Sequence, residues 1–325
     1  MRGNLRTDSI FPLLIKVLPK GTENFGNFEE VILQGLIIGN ISNMYKIEYE
    51  EKNYEAVAKG KFKLDNISPV VGDVVDFEIT DEANKKAFIT KINERKTFIK
   101  RPKLANITNL IFVISSIDPK PDLLMLDKQL AFGEFLNISC IIVLNKIDLD
   151  KKKEFEEIYK MYKNIGYKVI MTNAKERKGI KELLENMEGN INAFAGNSGV
   201  GKSTLINSIF NKEITEEGEI SKRNKRGKNT TTDTKLYKID KNTYIADTPG
   251  FSTFDISEIE SKDLDKYFKE FKQYISDCEF IGCTHIKEEE CGIKKAVETG
   301  KIFKGRYERY CKIYEELKEK ENKRW

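Results

Sequence analysis

The chain has 325 residues, room for two or three domains, and its 39% hydrophobic content can build packed cores, which excludes a disordered polypeptide. A formal net charge of +4 says little about partners, and five cysteines in a chain this long do not make a disulfide framework. No apolar run approaches the roughly 18 residues of a membrane span, and Phe11–Leu18, interrupted by Pro12 and Lys16, has no small-residue cleavage site, so the expected setting is the cytoplasm, with no membrane partner.

Residues 1–30 are mixed in character, with turn signals from Gly21 to Asn24 and at Gly26-Asn27; they read as an extension, either a flexible leader or an edge strand. From Val31 the pattern changes to short β-runs. Strands are expected at Val31–Ile38, Met44–Tyr49, Tyr54–Gly60, Val74–Ile79 and Ala87–Ile92, with turn residues between them. Five strands within residues 31–100 suggest a small Greek-key barrel of the OB type. Such barrels commonly bind RNA or single-stranded nucleic acid, but the pattern suits a non-binding barrel nearly as well.

Thr97–Lys103 reads as a basic linker. Beyond it strands and helices alternate: strands at Leu110–Ser115, Ile138–Leu144, Tyr167–Thr172 and Ile191–Ala195, helices at Asp122–Leu136, Lys151–Asn164, Ile180–Met187 and Thr204–Phe210. Lys235–Ile239 and Tyr244–Ala246 read as a strand pair. This alternation over residues 101–256 predicts an α/β domain with a mostly parallel sheet, covered on both faces where its strands are continuously apolar. Residues 257–325 turn helical and heavily charged, with an amphipathic helix at Asp263–Ile275, a Cys/His cluster, and two further helices ending in Tyr310–Arg324.

The chemistry concentrates first in Gly196-Asn197-Ser198-Gly199-Val200-Gly201-Lys202-Ser203, followed by Thr204. It satisfies the phosphate-loop pattern G-x-x-x-x-G-K-[ST], between a strand and a helix as that motif requires. The glycines let successive N–H groups face a polyphosphate, and the helix N-terminus adds partial positive charge. Lys202 would reach the β- and γ-phosphates of GTP, and Ser203 would ligate Mg²⁺. Asn145-Lys146-Ile147-Asp148 follows an apolar strand. There Asp148 can accept from both N1–H and the amino group of guanine, a donor pair adenine lacks. Asn145 would tie this turn to the phosphate loop, and the Lys146 stem would lie on the base. Thr172-Asn173-Ala174-Lys175 is a weaker match to the fifth GTPase motif, with Asn173 read as an insertion and the Ala174 N–H meeting guanine O6. Asp247-Thr248-Pro249-Gly250 is the third motif: Asp247 would hold Mg²⁺ through water, and the Gly250 N–H would sense the γ-phosphate. Between them, Ser221–Thr232 is basic and threonine-rich. It reads as a solvated loop or as the first switch, with Thr230 or Thr231 closing on Mg²⁺ and the γ-phosphate.

The guanine motifs precede the phosphate loop, so the motif order is four, five, one, two, three, that of a circularly permuted GTPase. Cys278, Cys283, His285 and Cys291 follow, three thiols and the only histidine in C-x4-C-x-H-x5-C spacing. This is the donor set of a closed, structural Zn²⁺ site with no position left for catalysis. Cys140 and Cys311 read as packing residues.

Barrel, permuted GTPase motifs and C-x4-C-x-H-x5-C module together resemble the RsgA (YjeQ/YloQ) family, bacterial GTPases that act late in small-subunit assembly. The resemblance covers nearly all of the chain from about residue 31. It implies a monomer that binds the 30S subunit and its 16S rRNA in the GTP state, is stimulated by the subunit, and leaves as GDP forms. Two places depart from the usual pattern: Asn229 stands where the family's switch carries a histidine, and residues 1–30 precede its usual start. Phe251 follows the third motif where many GTPases place a water-orienting glutamine. The alternatives are a permuted GTPase acting on another RNA or subunit, a nucleotide-regulated RNA scaffold with little turnover, and an ATPase, against which Asp148 argues.

Overall fold

The computed structural model describes residues 16–17, 31–58, 67–151, 153–210, 234–247 and 256–323. The basic segment Ser221–Thr232, including Asn229, Thr230 and Thr231, lies outside the described residues, as do Gly250, Phe251 and most of residues 1–30.

The strands are β1 (Val31–Ile41), β2 (Met44–Tyr49), β3 (Lys52–Ala58), β4 (Val74–Asp81), β5 (Lys86–Ile92), β6 (Phe98–Lys100), β7 (Lys103–Ala105), β8 (Asn109–Ser115), β9 (Ser139–Asn145), β10 (Lys168–Thr172), β11 (Ile191–Ala195), β12 (Lys235–Asp240) and β13 (Thr243–Asp247). The helices are α1 (Leu123–Phe135), α2 (Glu154–Ile165), α3 (Ile180–Met187), α4 (Lys202–Phe210), α5 (Gly292–Glu298) and α6 (Lys304–Asn322). They fall into two compact units, one drawn from residues 1–108, 187–193 and 226–249, the other from 109–186, 194–225 and 250–325.

In the first unit β1 pairs with β2, β2 with β3, β3 with β5 in parallel, β5 with β4, and β4 back onto β1. The five strands therefore close into a barrel, which removes exposed sheet edges. Alternate residues point inward: Ile37, Ile47, Ala56, Val75, Phe77 and Ile89 are all buried. A two-residue strand, Lys16–Val17, pairs with the start of β1. β12 joins β1 at Gly39, and Lys238 of β12 is ion-paired with Glu48 of β2, which also accepts from the Tyr244 hydroxyl. β13 pairs with β12 and, in parallel, with residues 191–193 of β11.

Thr97–Lys103 is not a linker. β6 and β7 form a hairpin that buries Ile99 and Leu104 and leaves Lys100, Arg101 and Lys103 exposed. The basic charge of the segment masks a period-two alternation too short to stand out.

The second unit is α/β. β8, β9 and β10 are parallel and nearly wholly buried. Asp122 caps α1 by accepting from the Met125 N–H, and Gly166, at φ 100°, ends α2 in the left-handed conformation glycine adopts freely. The expected helix Asp263–Ile275 is instead three 3₁₀ segments, Ser261–Tyr267, Lys269–Gln273 and Ile275–Asp277. Phe268 takes an extended conformation between the first two, so that Phe268 and Phe271 both pack on Tyr310 of α6, at 5.1 and 4.8 Å between ring centroids. Core packing overrides the weak helical preference of this stretch, whose aromatics Tyr267, Phe268, Phe271 and Tyr274 are poor helix formers.

Candidate nucleotide site and metal cluster

Strand register sets the floor of the candidate nucleotide site. Ser115 is level with Asn145, and Asn145 with Thr172, so β8, β9 and β10 end together. One buried side chain ties together the loops at their ends. Asn145 Nδ2 donates to the Val200 carbonyl at 3.0 Å, and its Oδ1 accepts from Thr172 Oγ1 at 3.0 Å and the Ala174 N–H at 3.4 Å. The fourth and fifth motifs and the phosphate loop thus meet at a single carboxamide, whatever their order in the chain.

Lys146 adopts a left-handed backbone, φ 64°, and its Nζ donates to the carbonyls of Asp118, at 2.5 Å, and Gly199, at 2.7 Å. Asp148 lies on a single 3₁₀ turn, Ile147–Leu149, and is exposed rather than buried. Asn173 shapes the turn that follows β10. Its buried Oδ1 accepts from the N–H groups of Lys175 and Glu176, at 3.1 and 3.3 Å, and its backbone bridges to Lys178.

The phosphate loop is shaped where side chains would not fit. A Cβ on Gly196 (φ 142°) would meet the Val113 carbonyl at 2.2 Å, and one on Gly201 (φ 96°) would meet Asn145 Nδ2 at 2.4 Å. The loop curls around Lys202, whose Nζ donates to the carbonyls of Gly196 (2.6 Å) and Asn197 (2.9 Å); burial lowers the pKa of its ammonium. Val200 is buried, while Ser198, Gly199, Ser203 and Thr204 are exposed at the mouth and on the first turn of α4. A helix N-terminus behind such a loop presents N–H groups and partial positive charge to an anion. Asp247 stands at the end of β13, one residue past Ala246, which pairs with Ala193.

Sequence spacing carries no sign of a buried ionic cluster behind this site. Met125 and Gln129 of α1 line a cleft with Gly196 and Asn197. On the same helix Asp127, fully buried, accepts from the Tyr162 hydroxyl at 2.6 Å and is ion-paired with Arg306 and Arg309 of α6. Arg306, also fully buried, pairs in addition with Glu270 and lies over the Phe268 ring at 4.5 Å. Burial works against its charge, but Asp127 and Glu270 hold its pKa well above the ordinary value.

In the same unit Cys278, Cys283, His285 and Cys291 come together, with one donor atom from each within 4.8 Å of the others. Cys278 and Cys291 Sγ are 3.9 Å apart, and His285 Nδ1 is 3.6 and 3.3 Å from them. Tetrahedral bond lengths of about 2.3 Å to sulfur and 2.0–2.1 Å to nitrogen correspond to donor separations of roughly 3.5–3.8 Å. Burial foremost pushes the Cys283 thiol up to about 12 and raises Cys291, so thiolates here call for a cation. The cluster fits a four-coordinate metal ion. Its loop is clasped from α6: the Tyr307 hydroxyl donates to the His285 carbonyl at 2.6 Å and that of Tyr310 to the Thr284 carbonyl at 3.0 Å. Cys140 is buried in β9, and Cys311 is only half-buried in α6.

Among the described residues no helix is long and apolar enough to cross a membrane. A family model described as RsgA GTPase matches residues 92–257, and one described as RsgA N-terminal domain matches 34–89. The chain is 41% identical over 293 residues to the small ribosomal subunit biogenesis GTPase RsgA of Clostridium novyi, covering 90% of this chain and all of that one. It is 39% identical over 295 residues to the corresponding Clostridium botulinum protein, with the same coverage. Among solved structures it is similar to YjeQ from Thermotoga maritima, with TM-score 0.77, 36% identity, and 88% and 98% of the two chains covered. It is similar also to YloQ, described as a circularly permuted GTPase, with TM-score 0.75, 29% identity, and 91% and 99% covered. With both models matched and relatives this similar over nine tenths of its length, the chain belongs to the RsgA GTPase family.

Proposed function

We propose that this chain is a GTP hydrolase that binds the 30S subunit in its GTP state, is stimulated by it, and assists late maturation of that subunit in the cytoplasm as a monomer. One observation carries the nucleotide half of this reading: Asn145 couples the phosphate loop, at Val200, to Thr172 and Ala174. Around that joint Asp148 and Ala174 read the guanine edge, and the Lys146 stem covers the base. The exposed Asp148 becomes buried by the base itself, so a base without the paired donors leaves a desolvated carboxylate unmatched. The N–H groups from Gly196 to Thr204 hold the phosphates, and Lys202 exchanges its loop carbonyls for the β- and γ-phosphates. Ser203, Thr231 and Asp247 would hold Mg²⁺, and Thr230 and Gly250 would serve the γ-phosphate. Mg²⁺ supplies charge neutralisation at the transferring phosphoryl group. Phe251 cannot orient the attacking water as a glutamine would, and the Asn229 carboxamide does not take up a proton as a histidine would, so intrinsic turnover is slow and the subunit completes the site. Groups supplied in trans give about 10³–10⁵-fold.

The subunit assignment is supported by the names of the relatives, small ribosomal subunit biogenesis GTPases. Functionally the chain divides into an extension (1–30), an rRNA-binding barrel (31–100), the GTPase segment (101–256) and a helical segment (257–325) whose Cys₃His set holds one structural Zn²⁺, the ion that three thiolates and an imidazole favour. The test is GTP turnover with 30S subunits, with 50S subunits and alone. Stimulation by 30S only is expected, and Lys202→Ala should abolish it. Equal stimulation by both subunits would overturn the subunit assignment, and undiminished turnover in Lys202→Ala would overturn the site.

A further inference from the structure

The two nitrogens of His285 face different surroundings. Nδ1 lies within the donor set, 3.3 Å from Cys291 Sγ and 3.6 Å from Cys278 Sγ. Nε2, on the far side of the ring, is 3.5 Å from Asp265 Oδ2. His285 is 1% exposed, and its Nε2 and Asp265 Oδ1 are buried atoms with no hydrogen-bond partner among the described residues. The ring is held in this sense. Phe271 meets it edge-on at 5.9 Å, Tyr310 packs at 6.2 Å, and its backbone is fixed at φ 61° with the carbonyl taken by Tyr307. A buried imidazole nitrogen beside a carboxylate, with the opposite nitrogen among thiols, is the arrangement in which an outer carboxylate orients a metal-bound histidine.

We infer that Asp265 is the positioning residue of the Cys₃His centre: its carboxylate accepts the Nε2–H of His285 and so leaves the Nδ1 lone pair to the metal. A modest tightening of the 3.5 Å approach to Oδ2 on metal binding completes that hydrogen bond and satisfies the orphaned Nε2. Asp265 comes from the 3₁₀ segment Ser261–Tyr267, not from the knuckle itself, so ligand spacing alone does not reveal it. The inference rests on the cluster holding a metal.

The experiment measures Zn²⁺ affinity of the full chain by competition with a chromophoric chelator, and the visible spectrum of the Co²⁺-loaded protein. Asp265→Ala should weaken Zn²⁺ binding about 10- to 100-fold and alter the cobalt bands. The isosteric Asp265→Asn, which keeps an acceptor oxygen without the charge, should lose only several-fold. Both losses should vanish when His285→Cys is also present, because no imidazole then remains to orient. Affinity of Asp265→Ala equal to wild type, or a loss of the same size in the His285→Cys background, would overturn the assignment. Should Asp265→Ala fail to fold, the Asp265→Asn cycle is read by the same rule. No Zn²⁺ or Co²⁺ binding by the wild-type chain would instead overturn the metal reading beneath it.

Discussion

At the ends of β8, β9 and β10 the main chain does most of the positioning. Register levels Ser115, Asn145 and Thr172, and two glycines lie against Val113 and Asn145 where no side chain would fit. The Cys₃His knuckle has almost no regular structure to position it, only 3₁₀ turns before it and a seven-residue helix after it. There the side chains of α6 do the holding, through Tyr307, Tyr310 and, at the root, Arg306 and Arg309. A sheet-end site survives permutation of the chain because register is indifferent to connectivity; a clasped loop depends on the few residues that clasp it. The sharpest way to break the contrast is Asp127→Ala, which leaves Arg306 fully buried with Glu270 alone. Removing one partner of a buried pair costs about 3–5 kcal/mol. Urea denaturation should show a loss of that size, and a loss below about 1 kcal/mol would mean that α6 is not held by this cluster.

Asn145→Ala probes the other side. It removes one donated bond and two accepted ones, the longer at 3.4 Å, and leaves a buried carbonyl and hydroxyl to find new partners. At about 1 kcal/mol per bond, with a penalty for buried groups left unpaired, the expected loss is roughly 2–3 kcal/mol. GDP affinity should fall with it, because the phosphate loop loses its tether at Val200. If stability falls and GDP affinity does not, the loop is positioned by its glycines alone.

The same contrast governs how much could be read from the sequence. The barrel strands, the three parallel strands and the phosphate loop come from local pattern: alternation, continuous apolar runs, and glycines at fixed spacing before a helix. The Cys₃His set was legible because its members lie within 14 residues of one another. What stayed hidden depends on partners far along the chain. Asp127 and Arg306 are separated by 179 positions, and neither carries a local signal that it is buried. Asp263–Ile275 has helical spacing of charge and apolar residues, but Phe268 and Phe271 answer to Tyr310 instead. Asn173 resembles an insertion by motif matching, and only its Asx turn explains why asparagine fits there.

The smallest effect sharpens the account of the knuckle. Glu288 accepts from the Thr284 N–H and hydroxyl, at 2.9 and 2.8 Å, and from the N–H groups of Ile286 and Lys287, at 3.0 and 3.1 Å. Partial burial alone would raise its pKa, but these donors outweigh it and hold the carboxyl at about 2, against an ordinary 4.5. A depressed carboxylate contributes stability that is fully present above its unfolded value and is lost as pH falls through its folded one. The gap in stability between the metal-loaded wild type and Glu288→Gln should therefore be constant from pH 7 to about 4.5 and shrink toward pH 2. Its size is roughly 1 kcal/mol after allowing for screening at a part-exposed group. Protonation of the thiolates is common to both proteins, so the gap, and not either stability alone, is the quantity to follow. A gap that closes already between pH 7 and 5 would mean that the loop is held by the metal and α6 without Glu288.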